Sequence, residues 1–301
     1  MCLEISAIVT GIRERLEAIL APPQGSYRPF LADGRPVGWI DDQRARRLAE
    51  FVDVLVVDKD QICFVPRLGT ARERTVAMEG LARRLCEEGA LSAWRNERYA
   101  VVCEFGEQPH FELERCAARY FGVRTFAAHI NGLVRTDDGV RMWLGRRSPQ
   151  KAVDPGLLDN MVGGGIAAGA SVEATMIKEA AEEAGIPAAL AAMSRAAGTL
   201  RICRAHPKGL ERETVYVHDL WLDPAFVPAG VDGEVVEFRL EILADAAALA
   251  GNWEGSDVVT ADASLVIVDC LMRHGLIGPD CPDHAALDAL RYASLEPANR
   301  P

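Results

Sequence analysis

The chain holds eight cysteines, at positions 2, 63, 86, 103, 116, 203, 270 and 281, and no two of them have C-x-x-C spacing. That excludes a zinc knuckle and a thioredoxin-type motif. None of the six histidines forms His-x-x-His or His-Glu-x-x-His, which removes the common zinc-enzyme spacing. No apolar run approaches the roughly 20 residues a membrane span needs, and no secretory signal pattern is seen. Positive charge is in short supply: 33 Lys and Arg stand against 44 Asp and Glu, for a net charge of −11. Phosphate backbones need clustered Lys and Arg, so a nucleic-acid partner is not expected. Internal repeats and low-complexity segments are also missing. Scattered cysteines in a long chain predict reduced, mostly buried thiols and a cytoplasmic location.

What is present points to α/β (α+β) architecture in two modules. The first, residues 1–122, opens with a helix over 6–20, where Ile8, Ile12, Leu16 and Leu20 form one stripe. Pro22 and Pro23 end it. A hairpin follows, turning at Asp33-Gly34, then a helix over 43–52 and strands over 54–57 and 62–65. Helices are predicted over 71–89 and 110–120, with Gly122 at the boundary. The second module, 123–301, starts with a strand over 125–135 that breaks at Gly132. It turns at residues 137–139, returns over 140–146 and enters a loop containing Pro149 and Pro155. Further strands are expected at 198–204, 214–222 and 235–240, and a helix over 261–274. The Ala-rich stretches 188–197 and 244–250 read as helix or helix–loop surface.

The densest chemical signal is GGGIAAGASVEATMIKEAAEEAGI, from Gly163 to Ile186. A glycine-rich turn precedes a helix over 172–184, with Ser171 as N-cap and Gly185 as its stop. Glu179, Glu182 and Glu183 fall at i, i+3 and i+4 and share one helical face. Like charges so close raise one another's pKa. A hard divalent cation relieves that cost.

This segment resembles the Nudix box, Gly-x5-Glu-x7-Arg-Glu-U-x-Glu-Glu-x-Gly-U, where U is a bulky aliphatic. Gly164 matches the first glycine, and Glu179, Glu182, Glu183 and Gly185 match the acidic core and its closing glycine. Ala170 replaces the first glutamate, Lys178 replaces the arginine, and Ala180 is smaller than the usual aliphatic. The resemblance extends over nearly the whole chain, through residues 34–39, 143–151, 155–160, 208–210, 217–219, 232–235 and 269–275. It matches the branch labelled thiamine-pyrophosphokinase-related, in which a Nudix domain follows a separate N-terminal domain.

The resemblance implies an N-terminal α/β domain followed by a Nudix α/β/α sandwich with a mixed sheet. It implies metal-dependent hydrolysis of a small organic diphosphate, thiamine diphosphate-like and including oxidised forms, to a monophosphate and phosphate. Mg²⁺ or Mn²⁺ would be held by Glu179, Glu182, Glu183 and the backbone near Gly163. Glu182, Glu183 and Glu234 are the implied catalytic carboxylates, with Glu237 as the alternative to Glu234. Arg146, Arg147, Lys151 and Lys208 are basic groups suited to phosphate oxygens. Trp143, Tyr216 and Trp221 are candidates for stacking on a substrate ring, and His129, His206 and His218 read as core or edge residues. A nucleotide-sugar or other nucleoside-diphosphate-linked substrate remains open, as does a non-catalytic ligand-sensing role. The prenyl-diphosphate isomerase reading needs a cysteine before the box, and residues 158–163 contain none. A homodimer is compatible with the sequence and not required by it.

Overall fold

The computed structural model describes residues 2–297, with the side chains of residues 2–4 excepted. Helix α1 (Cys2–Ile19) leads into a four-stranded sheet of β1 (Tyr27–Ala32), β2 (Arg35–Asp41), β3 (Leu55–Val57) and β4 (Ile62–Phe64), ordered β2-β1-β4-β3. The β1–β2 turn is made by Asp33 and Gly34 at φ 52° and 75°, the left-handed pair that a two-residue hairpin favours. Helix α2 (Asp42–Leu48) starts where the Asp41 side chain accepts the Arg44 amide. It stops short of the expected residue 52. Helix α3 (Ala71–Glu87) carries a Thr70/Glu73 capping box. Phe30, Phe64, Phe111 and Phe121 meet in the core of this unit with ring centroids 5.1–5.9 Å apart.

The helix expected over 110–120 is not formed. Strand β6 (Phe111–Glu114) pairs with β5 (Arg98–Val101), and a short 3-10 turn covers Arg115–Ala117. Phe111 and Leu113 are fully buried on alternating positions, so a period of two prevails over helical propensity.

The second sheet contains β7 (Arg124–Thr136), β8 (Gly139–Arg147), β9 (Leu158–Asn160), β10 (Val162–Gly165), β11 (Arg195–His206), β12 (Gly209–Leu222) and β13 (Val235–Ile242). Its main path is β11-β12-β7-β8-β13; β10 pairs with β7 and β9 with β8. The β7–β12 pair is parallel and the others are antiparallel, so the sheet is mixed. Strand β7 runs unbroken through Gly132. A Cβ there would lie 2.1 Å from Met161 Sδ, so this glycine serves close packing. The loop expected before the box contains β9, and the glycine-rich turn expected at 163–165 is strand β10; both are too short to show a period.

Helices cover both faces. Met176, Ala180 and Ala184 of α4 (Val172–Ala184) pack with Phe126, Ala128 and Ile130. On the other face, Ala127, Leu133, Val215 and Val217 meet α6 (Leu243–Ala250) and α7 (Ala261–Arg273). Short helices α5 (Ala188–Ala191) and α8 (His284–Leu290) complete the set. The first helix also joins this second core. Val9, Ile12 and Leu16 are buried there, and Arg15 donates to Ala250 O, Ser264 Oγ and Val259 O.

Seven cysteines stand free, and the Cys2 side chain lies outside the described residues. Among the described residues, no helix is long and apolar enough to cross a membrane.

Candidate active site

The box helix is positioned at both ends by its own sequence. Ser171 accepts the Ala174 amide at 3.0 Å, and Gly185 closes the helix at φ 63°, a conformation costly for residues with a Cβ. Its apolar face is buried, which leaves the glutamates facing the β10 edge. Glu183 is only 4 % exposed and accepts the Gly163 amide at 2.9 Å. Each glycine of the triplet makes room for a specific neighbour. A Cβ at Gly163 would lie 3.1 Å from the His129 ring, one at Gly164 2.4 Å from Glu179 Cγ, and one at Gly165 2.0 Å from Tyr99 Oη.

Glu234 comes to the box by a docked loop. The Ala229 and Val231 amides donate to Ala184 O and Glu182 O, at 3.1 and 2.9 Å. These satisfy carbonyls left open at the helix end. Asp232 Oδ1 then accepts the Glu234 amide at 2.8 Å, and the Ser148 amide donates to Glu234 O. Lys151 Nζ stands between Glu234 and Glu183, 3.3 Å from Glu183 Oε1. Glu237 instead pairs with Arg146 and does not line the cavity.

The two departures from the box have visible consequences. Lys178 Nζ lies 3.0 Å from Glu179 Oε1 and 2.8 Å from Glu182 Oε2. It therefore compensates metal-facing carboxylates. The box loop is held by backbone bonds: Ile166 N donates to Phe126 O at 2.7 Å, and Ala168 N to Arg98 O at 2.8 Å. The second bond comes from β5, in the first unit. That strand braces the loop where Ala170 has no side chain to do so.

Burial pushes Glu183 up to about 7, against the Lys151 charge and the Gly163 hydrogen bond. Burial also raises Glu179, with Lys178 opposing. For Glu234, the Lys151 contact overcomes burial and lowers the pKa. The donor set of Glu179, Glu182, Glu183, Glu234 and the Gly163 carbonyl is hard oxygen throughout, which suits Mg²⁺ or Mn²⁺. Two box carboxylates with raised pKa are short of positive charge, which a cation supplies. In the present conformation, no group of three potential ligand side chains converges on one point among the described residues. The two ammonium groups occupy the positions a cation would compete for. The donor set fits a hard divalent cation by its chemistry, and in this conformation Lys151 and Lys178 supply the positive charge beside it.

The box opens into a cavity of about 500 Å³. Of the basic candidates, Lys151, Arg147 and Lys208 line it and Arg146 does not. Successive strand residues face opposite sides. Arg146 therefore points away from the site, bonding Glu237, Asp257 and Ser256 O at 2.5–2.6 Å. Arg147 faces the cavity, but its guanidinium holds Asp159 at 2.6 Å and the carbonyls of Val153 and Asp154. Lys208 forms no ion pair among the described residues, yet it sits far from the box. Register puts Gly163 opposite His129 and His129 opposite Val217. From Val217 to the β11–β12 turn is about 27 Å of strand.

None of Trp143, Tyr216 and Trp221 lines the cavity. Trp143 is core, Tyr216 packs on Phe105, and Trp221 lies under Arg135. The aromatic wall is Tyr99 of β5, a residue that belongs to no motif in the sequence. Arg115, just after β6, was missed too, because it lay in an expected helix. Its charge acts on Glu179 and Glu234, and it bonds Glu97 at 2.8 Å. His129 is buried as expected, with Nδ1 2.8 Å from Asn160 Oδ1, and it also lines the cavity. His206 Nδ1 accepts the Lys208 amide in its own hairpin turn.

Comparison with known proteins agrees with this architecture. The DUF4743 family model, a domain of unknown function, matches residues 14–125, and the NUDIX domain model matches residues 125–262. Nudix hydrolase 24, chloroplastic, of Arabidopsis thaliana is 35 % identical over 286 residues, covering 94 % of this chain and 78 % of the relative. Nudix hydrolase 20, chloroplastic, of the same plant is 34 % identical, covering 91 % and 76 %. Among solved structures, the DR0079 protein of Deinococcus radiodurans is 24 % identical, with a TM-score of 0.42, covering 56 % of this chain and 97 % of that one. The protein belongs to the Nudix hydrolase family and is a Nudix-type diphosphate hydrolase with a DUF4743 domain ahead of its Nudix domain.

Proposed function

We propose that the protein hydrolyses a small organic diphosphate ester, thiamine diphosphate-like and including oxidised forms, to a monophosphate and phosphate. The observation that carries this reading is the single cavity in which the box carboxylates share walls with Lys151, Arg115 and Tyr99. Its size suits one small diphosphate, and its basic groups come from both the box side and the first unit. The division into 1–122 and 123–301 then separates a substrate-shaping unit from the hydrolytic one, with α1 returning to support the second.

Glu179, Glu182, Glu183 and the Gly163 carbonyl would hold Mg²⁺ or Mn²⁺. When bound, the metal neutralises phosphate oxygens and acidifies water. Lys151 and Arg115 orient the diphosphate. Glu183 is tied to the Gly163 amide, Glu234 to Lys151 and Glu182 to Lys178; Glu182 is the most exposed of the three, so its carboxylate takes the proton of the attacking water. A reducing, cytoplasmic setting suits the free cysteines.

The test is phosphate release with Mg²⁺ or Mn²⁺ from thiamine diphosphate, its oxidised forms, a nucleotide sugar and ADP-ribose. Metal-dependent release confined to the thiamine-like compounds supports the proposal. Release from a nucleotide compound alone replaces the substrate class. Tight binding without release from any compound favours a sensing protein.

A further inference from the structure

Buried polar atoms that find no partner inside a protein are rare, and His129 carries one on the cavity wall. The residue is 5 % exposed and lines the cavity. Its Nδ1 meets Asn160 Oδ1 at 2.8 Å, while Nε2 makes no hydrogen bond and no ion pair among the described residues. A histidine kept only for packing has no need to turn a bare ring nitrogen to a cavity. The ring lies against β10: a Cβ at Gly163 would stand 3.2 Å from Nε2, and one at Gly164 would meet Glu179. Successive strand residues face opposite sides. His129 is therefore on the side of β10 away from Glu179, the side where Gly165 meets Tyr99.

The chemistry of Nε2 is set from a distance. Asp219 is held by Nη1 and Nη2 of Arg273, and a carboxylate so paired only accepts. Asn131 stands opposite Asp219 across the β7–β12 pair. It must turn its amide nitrogen to that carboxylate, and Nδ2 donates to Asp219 Oδ1 at 3.0 Å. Its Oδ1 is left to accept from Asn160 Nδ2, at 3.5 Å. Asn160 then has only Oδ1 for His129. An amide oxygen accepts, so Nδ1 carries the ring proton, and in the neutral ring Nε2 holds the lone pair. Every direction follows from the anchored carboxylate, which removes the usual ambiguity of amide and imidazole orientation. Asn131, Asn160 and Asp219 are all buried, and none of them lines the cavity. The chain of bonds has one open end, Nε2.

We propose that His129 is a specificity residue of the diphosphatase site, whose Nε2 accepts a hydrogen bond from an N–H or O–H donor on the organic part of the substrate, and that Asn160, Asn131 and Asp219 are positioning residues that fix its tautomer. This rests on the reading of the cavity as a diphosphate-ester site. Ionised phosphate oxygens only accept, so the diphosphate itself does not match Nε2. A ligand without a donor there leaves the lone pair buried and unpaired, the penalty by which hydrogen-bonding sites discriminate.

The experiment is nitrogen-15 NMR of the histidine rings in the whole protein at mildly alkaline pH. His129→Phe, or His129→Gln should the first not fold, assigns the signals by removing them. His129 is expected as an Nδ1–H ring with a bare Nε2. Thiamine monophosphate, which bears an exocyclic amino group, should shift the Nε2 line, and inorganic phosphate should not. Asn131→Leu, checked for a wild-type melting profile, lets the Asn160 amide turn over and should move the ring proton to Nε2. With thiamine diphosphate as substrate, the His129 variant should raise KM about tenfold and leave kcat within about threefold. An Nε2–H ring in the wild type overturns the inference. So does an Nε2 line that ignores thiamine monophosphate or answers equally to phosphate. Both results come from the wild type, so they decide the matter even if no variant folds. If thiamine diphosphate is not hydrolysed while Nε2 answers to thiamine monophosphate, the diphosphatase reading falls and the acceptor stands. Hydrolysis with a silent Nε2 keeps that reading and strikes the acceptor.

Discussion

The two ends of the cavity are built on different principles. At the box end, α4 and the glycine strand β10 before it supply Glu179, Glu182, Glu183 and the Gly163 backbone, all within residues 163–185. At the inner end, β12, α7 and the segment after β6 each contribute a charged side chain from a distant part of the chain. The box end pairs its carboxylates with two lysines, Lys151 and Lys178. The inner end locks Glu211 between two arginines and gives Glu213 only the Thr125 hydroxyl and Asp262 the more distant Arg204. The contrast teaches that bond-breaking chemistry is encoded locally, while recognition of the rest of the substrate depends on tertiary assembly.

The sharpest way to break the comparison is Glu183→Gln. The amide oxygen can still accept from Gly163 N, so the fold should persist. Turnover should fall by about three orders of magnitude or more, ~4 kcal/mol of transition-state stabilisation. Steady-state kinetics alongside a melting curve checks it, and a folded, fully active variant would sink the metal-ligand assignment.

At the inner end, Glu211→Gln attacks stability first. Arg119 and Arg204 outweigh the burial cost and hold the Glu211 carboxyl low, at about 2. Breaking a buried pair of this kind costs about 3–5 kcal/mol, read as a shift in the urea midpoint. Because the folded pKa is depressed, this stability is present above the ordinary value of 4.5 and is lost as pH falls toward about 2. The variant should lack that acid-side loss. An unchanged acid limb would show that Glu211 does not hold the inner end.

Between the two ends lies the contact of Tyr99 with Gly165. Gly165→Ala forces a Cβ against Tyr99 Oη and should cost about 1–3 kcal/mol. Adding Tyr99→Phe removes the oxygen and should recover part of it. A double variant no better than the single one would argue against contact between the first unit and the box turn.

The legible parts of the sequence were those fixed by short-range rules. Ser171 and Gly185 bound the box helix as read, and Asp33-Gly34 made its hairpin, because caps and turns are decided within a few residues. Glu234 lines the same cavity as the box carboxylates and pairs with Lys151. Residues 110–120 misled because the strand alternation Phe111-Glu112-Leu113-Glu114 lasts only four residues and runs into a stretch of helix-forming residues. Lys208 entered the same cavity but at its far end, a placement set by the length of the β11–β12 hairpin. Tyr99 and Arg115 carried no local signal at all; only the docking of β5 and β6 against the box turn brings them to the site.

Arg146 offers the smallest effect and tests the alternation of β8 directly. Adjacent arginines in a strand look equivalent in sequence, but the pleat sends them to opposite faces. Arg146 meets Glu237 across the β8–β13 pair and also holds Asp257. Both partners are partly exposed, so solvent screens the pairs and Arg146→Ala should cost only about 1 kcal/mol. Its KM should match the wild type, since nothing in the cavity changes. Arg147→Ala is the contrasting variant. It frees Asp159 and releases the carbonyls of Val153 and Asp154, next to Lys151, so its KM should rise several-fold. Equal KM effects from the two variants would mean that both guanidiniums reach substrate and that the strand does not separate them.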